Sequence, residues 1–280
     1  MGGRRVNTSS RTTVVVNYVL LTICALVAIY PLVGVFLASL YPTGPGSQPS
    51  GFSLPPTFEW HNYVTAWEQG KFASSFQTSF IVAALMVPAS VVLSVVAGYA
   101  FATMRFRGSQ IIFWLFILGL IIPTEATIVP LYYDVKAMGL LDTSWALIIL
   151  ETSGEVAFGI FWMRAAFLAA PKSLLEAARI DGANSWQTLW RVMVPFARPA
   201  ILTLTVLCFA DSWNEFFLAL VFTINKTTAP AGLASFSGRY TQDIALVSAG
   251  AVIVAIPILI VFIFFQREFL RGMLTGAVKG

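Results

Sequence analysis

The chain has 280 residues, of which 58% are hydrophobic and 11% charged, with a formal net charge of +4. A water-soluble domain carries about 25% charged and roughly 45–50% apolar residues, so this composition excludes a free globular protein and asks for lipid as solvent. The positive charge is spread among loops, which fits membrane topology and argues against a nucleic-acid interface.

Arg4, Arg5 and Arg11 precede an apolar run over 14–40. That run is too long for the core of a cleaved signal peptide, so a retained first span is expected. Residues 41–71 follow as the longest outer loop. Pro42, Gly44, Pro45, Gly46, Ser47, Pro49, Ser50 and Gly51 favour turns there. Beyond them, 59–67 is predicted as a short interfacial helix with Trp60, Tyr63 and Trp67 at headgroup level. His61 is the single histidine. It offers neither a metal site nor a triad and reads as a surface residue.

Further apolar runs over 76–104, 111–131, 144–168, 201–222 and 244–265 are long enough to span as helices, about 20 residues each. Pro88, Pro123, Pro130 and Pro257 fall in or near them and mark possible kinks. The expected division is an N-tail and first span (1–40), the outer loop (41–71), a membrane core (72–265) and a tail (266–280). With the N-terminus inside, all the basic residues except Lys71, Lys136, Lys226 and Arg239 fall on the cytoplasmic side. That bias places both termini in the cytoplasm. Cys24 and Cys208 lie in apolar runs without metal or disulfide spacing, and both read as small buried residues.

Five carboxylates lie within spans: Glu125, Glu151, Glu155, Asp211 and Glu215. An acid at a span centre costs at least about 2.5–3.5 kcal/mol, so each is expected to face a partner or a wet cavity. The pairs Glu151/Glu155 and Asp211/Glu215 are each four apart, on one helical face. Trp213 and Asn214 accompany the second pair. These groups suit sugar hydroxyls, with the indole on a pyranose ring. The competing reading pairs them with another subunit or with Arg, Ser and Thr neighbours. Glu125, beside Pro123, equally suits the stabilisation of a broken helix.

The cytoplasmic loop 169–198 is the most structured connection. Ser173 and Glu176 have the spacing of a capping box, which predicts a helix beginning at Leu174. Gly182 is placed to end it in the left-handed region. Asn184 and Gln187 offer a weaker second capping pair, and Trp186, Leu189, Trp190 and Met193 line the next helix until Pro195. Ala177 and Ala178 leave one face narrow enough for close approach. Nucleotide hydrolysis by this chain is not expected, because no G-x-x-x-x-G-K-[ST] loop occurs.

Glu176-Ala-Ala-x-x-x-Gly182, followed after nine residues by Val192-x-Val194-Pro195, resembles the EAA signature of binding-protein-dependent ABC importer permeases. That family usually has Ile and Leu where Val192 and Val194 stand. Other stretches resemble its maltose-type carbohydrate-uptake branch. They are Gly98-Tyr-Ala-Phe-Ala with Arg105-Phe-Arg-Gly108, Pro123 through Pro130-Leu-Tyr132, Gly139-Leu-Leu-Asp-Thr143, Phe158 to Arg164, Trp213-Asn-Glu-Phe216, and Gln266-Arg267 leading to Gly272 and Gly276-Ala-Val-Lys-Gly280. The resemblance covers about residues 72–280, and nothing is carried over to the outer loop before Phe72.

The resemblance implies an all-α, six-span, MetI-like permease of the type I importer class in a bacterial plasma membrane. It makes Leu174, Leu175, Glu176, Ala177, Ala178, Asp181, Gly182 and Ala183 the element that docks on an ATPase. It also implies a heterodimer with a second permease subunit, two ATPase subunits holding ATP and Mg2+, and an extracytoplasmic sugar-binding protein. No cofactor is expected on this chain itself. Arg271 and Lys279 would meet the ATPase or lipid phosphates. The cargo implied is a sugar, and the lack of a mid-span cation favours a neutral one. A glycerol-phosphate or amino-sugar cargo, and a proton-coupled transporter using the paired carboxylates as relay, remain the alternatives. A membrane-embedded enzyme is disfavoured by the lack of catalytic clusters.

Overall fold

The computed structural model describes residues 11–44, 53–236 and 243–277, with side chains to 267. The expectations for Arg4, Arg5, the turn residues 45–51, Arg239, the side chain of Arg271, and Lys279 lie outside what is described. Among the described residues every regular element is helical. In hydrocarbon no water is available to backbone N–H and C=O groups, so each segment must close its own hydrogen bonds.

By contacts the chain divides into two compact units, Met1–Glu68 with Phe236–Ile253, and Gln69–Ser235 with Val254–Gly280. The first unit holds α1 (Arg11–Ala38), which has no buried residue. Cys24 on it is exposed, contrary to its reading as buried, while Cys208 is buried. An apolar face needs no protein cover when lipid is the solvent, so hydropathy alone does not place a residue inside the chain. The interfacial helix begins at His61, as α2 (His61–Gln69). Asn62 fixes it to the end of α1: its buried amide donates to the carbonyls of Ser39 (2.9 Å) and Tyr41 (2.7 Å). The Ser39 and Tyr63 hydroxyls are also bonded, at 2.7 Å.

The second unit is built on α3 (Phe72–Thr103) and α6 (Ser144–Leu168), which share the most extensive interface in the chain. Glycines set their separation. A Cβ on Gly98 would sit 2.7 Å from Met163 Cβ, and one on Gly159 would be 2.7 Å from Ser94 Cβ. Met86, Leu147, Met163 and Leu204 fill the surrounding core. The third packed helix is α10 (Arg198–Asn214). Trp213 is completely buried in this unit, its indole N–H donating to the Val254 carbonyl at 3.0 Å.

Two expected spans are interrupted. The run over 111–131 is α4 (Ser109–Ile121) and α5 (Thr124–Ala137), bent by 101°. Pro123 lacks an N–H and pushes Ile122 to extended backbone (ψ 116°). Pro88 and Pro257 instead lie within continuous helices, as does Pro130 within α5. The run over 201–222 stops at Asn214. Glu215 is extended (ψ 113°) and a short helix, Phe217–Phe222, resumes the path. The last helix, Ile244–Ala277, runs beyond the expected span of 244–265. Among the described residues, four helices are long and apolar enough to cross a membrane alone. Counting α4 with α5, and Ser185–Phe196 with α10 (bent by 80°), as one span each gives up to six.

Candidate functional site

The loop over 169–198 folds into a knuckle of short helices, beginning with α7 (Lys172–Ile180). The expected Ser173–Glu176 capping box does not form. Pro171 is the N-cap with no side-chain bond, and its carbonyl accepts from Leu174 N at 3.1 Å. Proline's fixed φ makes it a ready entry to a helix, which starts α7 two residues earlier and leaves Ser173 inside the first turn. The C-terminal end follows the sequence reading. Gly182 has φ 75°, its N–H bonds to Arg179 O (3.1 Å), and Ala183 N bonds to Ala178 O (2.9 Å). This is a Schellman motif, with both orphan carbonyls satisfied.

The face of α7 divides sharply. Leu174 and Leu175 are half-buried and Ala178 is buried, while Ser173, Glu176, Ala177 and Ile180 point out. Ile180 is 86% exposed. Only Ala177 of the two alanines therefore narrows the outer face; Ala178 packs against its own chain. Asp181 and Gly182 are exposed and Ala183 half-buried. Leu175, Arg179 and Ala183 line a small cavity of about 80 Å³ with Tyr99 and Thr103, so α7 rests on the C-terminal end of α3.

After the knuckle, Asn184 and Gln187 form the capping box that the sequence ranked second. Gln187 N donates to Asn184 Oδ1 (2.9 Å), and Asn184 N donates to Gln187 Oε1 (3.0 Å). They open α8 (Ser185–Thr188), which runs into a π-helical turn, Leu189–Met193, and then α9 (Val194–Phe196). Pro195 therefore does not end the helix. The wider turn, with Val194 N bonded to Leu189 O, accommodates a residue that has no N–H to give. Leu189 and Met193 are buried, whereas Trp186 and Trp190 meet edge to face on the outside at 5.6 Å.

Within the membrane, Glu151 and Glu155 do share a face, and it is turned to α10. Ser212 Oγ donates to Glu151 Oε2 at 2.6 Å, and the Cys208 thiol lies 3.7 Å from Glu155 Oε2. Glu151 is buried and its Oε1 has no partner. Asp211 and Asn214 are exposed on α10, and the Asn214 amide donates to Ala210 O at 2.8 Å. Glu215 does not extend that face. The helix has ended, and its Oε1 accepts from Leu218 N at 2.6 Å, capping the next segment. The Trp213 ring is enclosed by Phe76, Phe80 and Phe209, so it offers no open face to a sugar in this conformation. Glu125 is exposed in the first turn of α5, just past the break. The structure thus joins Glu151, Glu155 and Asp211 into one strip, leaves Glu215 within electrostatic reach of Glu151 at its end, and separates Trp213 and Glu125 from it. Ser212 escaped the sequence reading and Cys208 was read only as a small buried residue, since nothing but their four-residue spacing matches that of the glutamates.

The turn before α6 carries one further organised group. Asp142 has φ 58°, a region Asp tolerates better than most residues. Its Oδ1 accepts from the N–H groups of Ile224 (2.8 Å), Asn225 (2.7 Å) and Lys226 (3.2 Å), and Oδ2 from the Asn225 amide (2.7 Å). The Asn225 amide and these N–H groups hold its carboxyl down at about 2. Thr143, next in sequence, caps α6.

The family described as binding-protein-dependent transport system inner membrane component matches residues 90–273. The probable ABC transporter permease protein YurM of Bacillus subtilis (strain 168) is 36% identical over 231 residues, 82% of this chain and 77% of its own. The trehalose transport system permease protein SugB of Mycobacterium tuberculosis (strain CDC 1551 / Oshkosh) is 32% identical over the full length of both chains. That match also covers residues 41–71, to which the motifs did not reach. A crystal structure of a bacterial ABC transporter involved in import of the acidic polysaccharide alginate contains a chain 28% identical to this one. It superposes with a TM-score of 0.75, over 95% of this chain and all of that one.

Proposed function

The chain belongs to the family of binding-protein-dependent transport system inner membrane components, and from that premise we propose that it is the permease subunit of an ATP-driven sugar importer. It would pair with a second, different permease subunit, with both termini in the cytoplasm and six passes through the membrane. Two ATPase subunits, carrying ATP and Mg2+, would grip the knuckles of the two permeases. An extracytoplasmic binding protein would deliver the sugar. Closure of the ATPases draws the knuckles together and opens the path outward, and hydrolysis returns it inward. The equilibrium moves only as far as ATP favours the closed ATPase dimer. The joint that transmits this motion must therefore be stiff.

The observation that carries the reading is the knuckle itself. Its turn is locked by two backbone bonds at Gly182, and it presents Ile180, Ala177 and Glu176 outward beside a tryptophan pair. Ile180, Trp186 and Trp190 are large apolar side chains left exposed on one short segment, and several such residues together mark a surface with a partner. The sugar cargo is supported by the names of relatives such as the trehalose permease protein. The exposed mid-membrane polar groups Asp211 and Asn214, with half-buried Glu155, are the candidate lining of the path.

The test uses the full assembly in membrane vesicles with radiolabelled trehalose as first probe, then other disaccharides. Glu176→Lys and Gly182→Pro are expected to leave the chain inserted yet abolish ATP-dependent uptake. Uptake at the wild-type rate in either variant refutes the coupling role.

A further inference from the structure

A cavity of about 320 Å³ opens where the ends of α3, α4 and α6 converge, lined by Phe101, Ser109, Gln110, Phe113, Trp114 and Arg164. Arg164 is its one charged lining residue. The guanidinium lies 4.4 Å over the Phe113 ring, and no carboxylate pairs with it among the described residues. One ring face neutralises little of a full charge, so most of its five donors are left to solvent or a ligand. Ser109 and Gln110 bring polar side chains to the rim, while Trp114, 55% exposed, stands on the apolar side. Arg105 and Arg107 are exposed in the adjoining turn. The position of Arg164 is fixed by the backbone, because at Gly98 a Cβ would come within 3.0 Å of its amide nitrogen.

We infer that this cavity binds the phosphate headgroup of an anionic phospholipid in the cytoplasmic leaflet. The inference rests on the orientation adopted above, and charge complementarity selects the occupant. A planar, unpaired guanidinium prefers a phosphate diester that it grips with two donors. The neighbouring arginines add long-range attraction to an anionic leaflet. Trp114 and Phe101 supply a wall for the first methylenes of the acyl chains, which a free phosphate ion lacks. Arg164 stands shortly before the knuckle on the same chain segment, so an occupied site would steady the helix end from which α7 departs.

The chain is purified in mild detergent with whatever subunits accompany it, and phospholipid retention is read by native mass spectrometry. Phosphatidylglycerol and phosphatidylcholine are compared. The wild type is expected to retain phosphatidylglycerol, with Arg164→Gln binding it roughly tenfold more weakly, as for one lost charge-assisted contact. Should Arg164→Gln fail to accumulate, Gln110→Leu with Ser109→Ala reads the rim by the same measurement and is expected to weaken retention too. Equal retention of phosphatidylglycerol by wild type and variants overturns the proposal. So does equal retention of phosphatidylcholine, or displacement by millimolar inorganic phosphate, which reassigns the cavity to a free anion. Loss of an associated ATPase subunit with unchanged lipid binding overturns it in favour of a protein carboxylate. Because the readout needs no transport, a failed transport proposal leaves this result standing, and the converse holds.

Discussion

Single side chains carry clear consequences. The Asp142 carboxylate gathers Ile224, Asn225 and Lys226 of the segment after Phe222 onto the turn before α6. Asp142→Ala removes the acceptor and leaves an alanine in the left-handed region, so faster hydrogen exchange at the amides of Ile224 and Asn225 is expected. Asp142→Asn, which keeps an acceptor oxygen and tolerates that backbone, should stay closer to wild type. The clamp also depends on pH. Its folded value, about 2, lies below the ordinary 3.8. The stabilisation is therefore full above 3.8 and is lost as pH falls from there through about 2. Amide protection at those residues should follow that window and be flat at neutral pH.

Two buried groups give larger effects. Trp213→Ala empties a fully enclosed site and removes the indole donor to the Val254 carbonyl, with a loss of about 3–5 kcal/mol expected from thermal melts in detergent. Asn62→Ala leaves the Ser39 and Tyr41 carbonyls without their donor and is expected to cost about 1–3 kcal/mol. Asp142 stood in a stretch singled out by its Gly139-to-Thr143 pattern. Its role was not legible, because the partners lie more than eighty positions away in the chain. Asn62 gave no signal either, since its value comes entirely from two carbonyls that a turn brings back to it.

At the scale of elements, legibility follows how local the deciding force is. The bounds Ser144–Leu168 agree with the expected span because a Thr143 cap and an uninterrupted apolar run decide them together. The Gly182 stop was equally local. The break at Pro123 was local only in part: the proline marked a possible kink, but hydropathy continues across it and says nothing about a bend of 101°. The same holds at Glu215, where a carboxylate that looks like a helix residue serves as the cap of the next segment. The two capping boxes exchanged rank because Pro171 began α7 before Ser173 could act.

The knuckle makes a graded test of backbone strain. No atom lies within 4 Å of a Cβ built on Gly182, so substitution there tests φ alone. Gly182→Ala is expected to cost about 1–2 kcal/mol of local order and to lower uptake partially. Gly182→Asn, tolerated in that region, is expected to transport nearly normally.

For the whole molecule, topology is the first quantity to measure. Fluorescent protein fused to the C-terminus is expected to mature and alkaline phosphatase at the same point to stay inactive; the reverse pattern would invert the orientation. Composition made the solvent legible at once. It did not reveal that α1 keeps no buried residue of its own, because apolar runs look alike whether lipid or protein covers them.

The glycine contacts between α3 and α6 have a mechanical corollary. Backbone meets side chain at two levels of the same seam, Gly98 against Met163 and Gly159 against Ser94. Teeth that close forbid axial slip of less than a full notch, so the two rods can tilt only as one welded beam. Spin labels placed along both should hold a constant mutual spacing through every stage of a transport cycle, while their distances to neighbouring subunits change.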